Sequence, residues 1–526
     1  MARSLWPGAA AAARLRARSY SSPTLAGGGA AGDTIFALSS GAGRAAIAVV
    51  RVSGPRAAAA LAALVAPSSK PLPPGALRRR TLVDPADGSV VDSCMAVHLP
   101  GPATATGEDT VELHTHGSRA VVAKLFDVLR GLGCRPAAAG EFTRRAFTNG
   151  KLDLTTVEAL GDLLNADTDA QRRLALRAMR GDVAALYEGW RSALIDVAAH
   201  VEAAIDFVDD VDAYEAGGAD GVLGAVRARA DSVVAAMERH LATGRACELI
   251  RSGLQVALFG PPNAGKSSLL NLLVRRPAAI VSAVPGTTRD VLEVTLELGG
   301  LPVLLADTAG LRHEADAADD VEREGMRRTV DRVAASHVRV CVVDLHTLVP
   351  PPDAGGGGGA PAAPSFARAA RAAEFAAALS DPAATIVVLN KADADVAGCR
   401  VDAAEAALRA ALPAHSTVLR VSCRHDLGVD ALLVELQRRA EALVGGLMPG
   451  GGSGAEGDEP LLARSRHRQH LERCTAGLRA FLDGGKPLDL AAEELRHAIR
   501  ELGCVTGRVD VEDVLDSLFA SFCIGK

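Results

Sequence analysis

At 526 residues, 48% hydrophobic and 23% charged, the chain has the composition of a soluble protein of about two to four compact domains, and no apolar stretch of about 18 residues marks a membrane span. A net charge of -6 and 3% aromatic residues exclude blanket coating of nucleic acid and a surface of stacking rings, leaving room for a local basic patch. Nine scattered cysteines without a CxxC pair argue against a disulfide framework or a Cys-rich zinc site and fit a reducing compartment.

In chain order, residues 1–32 carry Arg3, Arg14, Arg16 and Arg18 among Ser and Ala, with no acidic residue before Asp33. This is the pattern of an organelle transit peptide rather than an Ala-rich tail, and its arginines favour the mitochondrion (matrix) over the plastid. Residues 33–153 alternate β-branched runs such as Ile47-Ala48-Val49-Val50 and Val90-Val91 with turns and Ala-rich stretches, predicting a small α+β domain. His114 and His116 fall on one side of a predicted strand and read as satisfied histidines. Over 154–250 apolar residues recur at three- and four-residue spacing through Leu160, Leu163, Leu164, Leu174, Ile195, Val201 and Ile205, predicting an all-α segment. From 251 to 444 apolar strands alternate with helices, predicting a parallel sheet covered by helices, with a Pro- and Gly-rich surface insertion from Pro350 to Pro364. A Gly-rich linker (445–460) precedes a second helical stretch (461–526), which is expected to pack with the first as one domain holding the α/β unit as an insertion. There His467, His470 and Cys474 share a helical face, read as an ordinary polar face.

Gly260-Pro261-Pro262-Asn263-Ala264-Gly265-Lys266-Ser267 lies between the apolar run Leu254 to Phe259 and a helix opening at Ser268, which is the setting of a phosphate-binding loop. The glycines let backbone amides turn toward phosphates, Lys266 supplies a point charge and the Ser267 hydroxyl suits magnesium. Asp307-Thr308-Ala309-Gly310 ends another strand, where a carboxylate suits the magnesium water shell and an amide the γ-phosphate. Asn390-Lys391-Ala392-Asp393 ends a third. The acceptor-only Asp393 carboxylate matches the adjacent N1 and N2 donors of guanine, which adenine lacks. Ser422-Cys423-Arg424 would close over guanine O6 through backbone amides. Gly286-Thr287-Thr288-Arg289-Asp290 supplies a threonine, Thr288, to magnesium. Taken one at a time these are turns and capped strand ends; in this order at strand ends they specify a P-loop GTPase domain. Leu311 stands where many GTPases carry a water-orienting glutamine, so another group must do that work. The acidic run Asp316, Asp319, Asp320, Glu322 and Glu324 is near, and composition does not choose among its members.

Beyond the nucleotide motifs, Asp33-Thr34-Ile35, Val50-Arg51-Val52-Ser53-Gly54, Gly140-Glu141-Phe142-Thr143-Arg144-Arg145-Ala146-Phe147, Gly150-Lys151-Leu152-Asp153-Leu154 and the ending Phe522-Cys523-Ile524-Gly525-Lys526 resemble the MnmE (TrmE) family of tRNA-modification GTPases and its mitochondrial counterparts. The resemblance runs from Asp33 to Lys526 and implies an N-terminal domain that binds 5-formyltetrahydrofolate and forms a homodimer, a helical domain of two chain segments, and an inserted G domain. It implies a flavin-dependent partner of the MnmG (GidA) type that binds FAD, and an aminomethyl-type substituent built on the wobble uridine of tRNA. By position it carries folate contact to Arg51, Glu112, Lys151 and Lys526. It carries potassium contact to Asn263, Ser282, Val284 and Thr287, in place of an arginine finger, and the water-orienting role to Glu322. Cys523 in the tail reads either as a catalytic thiol or as packing. Departures are Ser118, Ala139 and Ser282, where the family has glycine, proline and threonine. The competing readings are a ribosome-assembly or RNA-chaperoning GTPase, which would need a basic RNA-binding module, and a nucleotide-dependent scaffold without useful turnover.

Overall fold

The computed structural model describes residues 32–67, 72–206, 218–280, 293–307, 331–348, 384–394, 399–412, 416–445, 464–483, 486–509, 515, 518–519, 522 and 524–525. They fall into two compact units, one drawn from 1–164, 176–239 and 466–526 and the other from 165–175 and 240–465.

The first unit begins with strands β1 (Ile35–Leu38) and β2 (Ala45–Ser53), helix α1 (Ala57–Leu64), strands β3 (Arg78–Val83), β4 (Val90–Leu99) and β5 (Thr110–Gly117), helix α2 (Arg119–Gly131), strand β6 (Arg135–Pro136) and helix α3 (Glu141–Thr148). The strands form a six-stranded sheet in the order β3-β4-β5-β2-β1-β6. Alternation along β2 buries Ala48, Val50 and Val52, and the two valines meet Leu61 and Leu64 of α1 and Leu125 and Leu129 of α2 in the core. The opposite phase of the same strand carries Arg51, paired in register with Glu112 of β5. Of the two histidines expected to be satisfied, His116 of β5 is, with its backbone N–H and ring Nδ1 each 2.8 Å from the Asp92 carboxylate, whereas the buried His114 Nε2 has no hydrogen-bond partner among the described residues.

Helices α4 (Leu154–Leu164), α5 (Asp169–Met179), α6 (Asp182–Asp206) and α7 (Gly218–Ser252) follow. The second unit then builds β7 (Leu254–Phe259), α8 (Lys266–Val274), β8 (Ala279–Ile280), β9 (Glu293–Leu298), β10 (Leu301–Asp307), β11 (Val338–Asp344), α9 (Leu345–Leu348), β12 (Thr385–Asn390), α10 (Cys399–Ala411), β13 (Thr417–Arg420) and α11 (Val429–Val444). Its seven-stranded sheet runs β13-β12-β11-β7-β10-β9-β8, parallel from β13 to β10 and antiparallel at β10-β9 and β9-β8. Apolar cores lie on both faces. Val256 and Leu258 of β7 point toward Leu269 and Leu273 of α8 and Leu432 and Leu436 of α11, while Ala257 and Phe259 join Val401 and Leu408 of α10. Burial on both faces explains why these strands are continuous apolar runs.

Helices α12 (Ser465–Leu482) and α13 (Leu488–Thr506) complete the first unit. Here the polar face expected of His467, His470 and Cys474 is corrected: His467 and Cys474 lie buried on the core stripe of α12 with Leu471, Leu478 and Phe481. Alternating four- and three-residue spacing from His467 to Phe481 puts them on the inner side, and a histidine is tolerated there because its Nε2 meets the buried Glu158 carboxylate of α4 at 2.7 Å. No helix among the described residues is long and apolar enough to cross a membrane.

Candidate nucleotide site

The loop between β7 and α8 is shaped by its glycines and Asn263. Gly265, at φ 98°, caps α8, and a Cβ there would sit 2.2 Å from Asn390 Nδ2, so no other residue fits without displacing that amide. Asn263 takes the left-handed conformation at φ 63°. Lys266, 6% exposed, donates from Nζ to the carbonyls of Gly260 at 3.1 Å and Pro261 at 2.9 Å, which holds a buried ammonium at the loop. Ser267 and Ser268 form the first turn of α8 together with Lys266, so their amides stand at the positive end of the helix.

Asn390, 2% exposed, joins two loops: Nδ2 donates to Ala264 O at 2.8 Å and Oδ1 accepts the Cys423 N–H at 3.4 Å. The 423–426 turn is closed by reciprocal Ser422 and Leu427 backbone bonds of 3.0 and 3.1 Å, and Ala392 N donates to Val421 O at 3.2 Å. Inside this turn the Ser422 hydroxyl donates to Asp393 Oδ1 at 2.6 Å and accepts the His425 N–H at 3.2 Å. The Ser422 bond, against the opposing effect of burial, holds the Asp393 carboxyl below its ordinary range, so it stays an acceptor. Burial pushes the Cys423 thiol up, making it an unreactive member of the turn. Asp307 ends β10 in register with Leu258 of β7, one strand over from the phosphate loop.

Asn263, Ala264, Gly265, Lys266, Ser267, Ser268, Asp307, Asn390, Lys391, Asp393, Ser422, Cys423 and Arg424 therefore converge outside the carboxyl ends of β7, β10, β12 and β13. Ser282, Val284, Thr287, Thr288, Thr308, Ala309, Gly310, Glu322, Cys523 and Lys526 lie outside the described residues. The sequence reading missed Asp344, which ends β11 opposite Asn390 and binds Lys391 Nζ through Oδ2 at 2.6 Å. Its only signal was a lone aspartate closing the run Val338 to Val343. Among the described residues no group of three or more His, Cys, Asp or Glu could hold a metal.

A second polar cluster lies on the N-terminal sheet. Arg51 Nε donates to Glu112 Oε1 at 3.0 Å, Glu112 Oε2 stands 3.6 Å from His114 Nε2, and the Arg51 guanidinium lies 5.8 Å from the centre of the Phe142 ring. Lys151 follows the left-handed Gly150, and its stem runs close beside Gly107. Nearby loops are tied by Arg145, which reaches Asp33 Oδ1 at 2.6 Å and Glu108 Oε2 at 3.1 Å, and by Arg135, which reaches Glu141 Oε1 at 2.6 Å. Burial, the largest single influence, would raise the Glu141 carboxyl, yet the Arg135 bond, the Ala138 N–H and Arg145 together outweigh it and hold the group below its usual value. The tail docks on this sheet's β1 side: Ile524 bridges Ala139, and Ser39 Oγ donates to Gly525 O at 2.9 Å. Gly525, at φ 102°, is required there, since a Cβ would lie 2.0 Å from Leu38 O. Phe519 and Phe522 pack beneath it with Leu154 and Val157.

Residues 154–523 match the family described as MnmE helical domain, and residues 34–151 match the GTP-binding protein TrmE N-terminus. The tRNA modification GTPase MnmE of Paramagnetospirillum magneticum is 45% identical over 498 residues, covering 94% of this chain and 100% of that protein. The human mitochondrial 5-taurinomethyluridine-[tRNA] synthase subunit GTPB3 is 42% identical over 535 residues, covering 100% of each chain. Among solved structures, the G domain of the T. maritima FeoB iron transporter is 19% identical over 36% of this chain and 98% of that one, at a TM-score of 0.24.

Proposed function

The chain belongs to the MnmE (TrmE) family of tRNA-modification GTPases, and from that premise we propose that it hydrolyses GTP to drive a C5 modification of the wobble uridine, position 34, of tRNA. The reaction adds an aminomethyl-type group from a folate one-carbon donor, jointly with a flavin-dependent MnmG-type partner. The observation that carries this reading is the joining of the phosphate loop to the base-reading turn through Asn390, with the Asp393 carboxylate fixed by Ser422.

In this reading Lys266 neutralises the β and γ phosphates, Ser267 and Thr288 ligate magnesium, and Asp393 accepts from guanine N1 and N2. Asn263, Ser282, Val284 and Thr287 would hold a potassium ion, and Glu322 would orient the attacking water, a task Leu311 cannot perform. Magnesium and potassium, when bound, supply the positive charge that offsets charge developing on the phosphate oxygens. Pairing of two G domains in the homodimer completes each site. The segment 33–153 serves as the folate-binding and dimerising domain, with 154–250 and 461–526 as one helical domain and 251–444 as the G domain. Arg51, Glu112, Lys151 and Lys526 suit a folate: Glu112 keeps an oxygen for paired pterin N–H donors, and the cationic side chains suit a glutamate tail. Cys523, in the C-terminal tail, is a candidate catalytic thiol.

The mitochondrial relatives support a matrix location, though bacterial relatives are as similar in sequence. On this reading the mature protein begins between Tyr20 and Asp33, and N-terminal sequencing that finds Met1 intact on organelle-purified material removes the transit peptide. The enzymatic reading is tested by GTP turnover in potassium against sodium. Faster turnover in potassium supports it, and equal rates in the two salts defeat the cation-assisted mechanism.

A further inference from the structure

Asp344 has no part in the nucleotide motifs, yet it lies at the mouth of the same crevice. It ends β11 directly opposite Asn390 in register and is 8% exposed. Its two oxygens are divided. Oδ1 accepts the His346 N–H at 2.9 Å and caps the short α9, while Oδ2 takes the Lys391 ammonium at 2.6 Å. Lys391 itself has φ 63°, a left-handed conformation unfavourable for a residue with a Cβ, and it lies between Asn390 and Asp393.

A pair whose lysine side chain is 40% exposed adds little to fold stability in water, so burial energy does not account for it. What the pair does is restrict motion. A free lysine stem carries rotamer entropy, part of which must be lost whenever the stem is ordered against a ligand. We propose that Asp344 is a positioning residue of the guanine pocket: by holding the Lys391 ammonium it fixes the methylene stem of Lys391 as a preformed wall against which the base and ribose lie. The stem is apolar along its length, so a nucleoside can pack on it while the charged end stays with Asp344. The Lys391 ammonium is held by Asp344, so the pair should favour GDP and GTP equally and leave the choice of base to Asp393.

The inference rests on guanine lying against Asn390 to Asp393. Asp344→Asn is a clean probe because its amide oxygen still accepts the His346 N–H, while the charge and the acceptor that hold Lys391 are lost and an N–H donor takes their place. Nucleotide release from the full-length protein is measured by stopped flow with fluorescent GDP and GTP. Release should quicken by about tenfold for both nucleotides, with the preference for guanine over xanthine kept. In a Lys391→Met background, Asp344→Asn should add less than about twofold, since its only route of action is already gone. The nucleotide-free melting temperature should stay within about 2 °C. Unchanged release, a full additional loss in the Lys391→Met background, or a fall in melting temperature that accounts for the weaker binding would each overturn the proposal. Asp393→Asn run in parallel separates the two levels. If it switches the base preference while Asp344→Asn does nothing, the pocket stands and this inference fails; if it leaves the preference unchanged, the pocket itself is misplaced.

Discussion

In the nucleotide sheet the residues that converge come from short stretches, each closing a strand: 260–268 after β7, 390–393 after β12 and 422–424 after β13. On the N-terminal sheet they come from far apart. Arg51 and Glu112 are separated by 61 residues, and the tail contact from Ser39 to Gly525 spans 486. The difference teaches where function is written in a chain. A loop that cradles phosphate needs its glycines, lysine and hydroxyl adjacent in sequence, because consecutive backbone amides do the binding. A cradle built across a sheet needs only register, and register leaves no local signature.

If the two regions divide the work as proposed, substitutions should separate turnover from tail docking. The largest effect is expected at Glu322→Ala, which should lower GTP turnover by about 100- to 10,000-fold with GTP affinity nearly intact, as read by single-turnover hydrolysis beside a binding assay. Turnover that survives the change assigns the water to another group. Next, Asp393→Asn should cost roughly 1.5 to 3 kcal/mol of GTP binding and favour xanthine nucleotide, because the amide places a donor against guanine's own donors. Calorimetry with both nucleotides decides it.

On the other side of the comparison, Gly525→Ala should loosen the tail by about 1 to 3 kcal/mol, because the residue is left-handed and its Cβ would collide with Leu38 O. Hydrogen exchange should then speed up at Ser39 and Ile524 while GTP turnover holds; a matching fall in turnover would merge the two regions into one. The smallest effect concerns pH. The Ser422 bond keeps the Asp393 carboxyl below its ordinary range, so the charge proposed to read guanine persists as pH falls and is lost only when pH drops through that lowered value. Ser422→Ala should move the acid limb of GTP affinity to higher pH, measured as binding against pH, and an unmoved limb would deny Ser422 this role.

Much of the nucleotide site was legible because each apolar run ends in a polar motif: Leu254 to Phe259 runs into the phosphate loop, and Ile386 to Leu389 into Asn390-Lys391-Ala392-Asp393. Asp344 escaped since one aspartate after Val338 to Val343 looks like any strand end, and its partner is a lysine 47 residues later. The buried face of α12 escaped for a related reason. His467 reads as polar until Glu158, 309 residues earlier, is brought to its side, and only packing supplies that partner. The Arg135 and Arg145 hub behaves likewise, with Asp33 reaching Arg145 across 112 positions.

The central claim, that GTP turnover in one region serves a tRNA modification that also needs the other, is tested most directly by mass spectrometry of tRNA wobble nucleosides. Cells lacking the protein are complemented with the native chain, with Lys266→Ala or with Gly525→Ala, and each purified variant is assayed for GTP turnover. The account predicts that the native chain restores the C5 substituent on the wobble uridine and that both variants fail to, only Lys266→Ala having lost turnover. Wobble uridine with the same substituent in all four cell lines would contradict it.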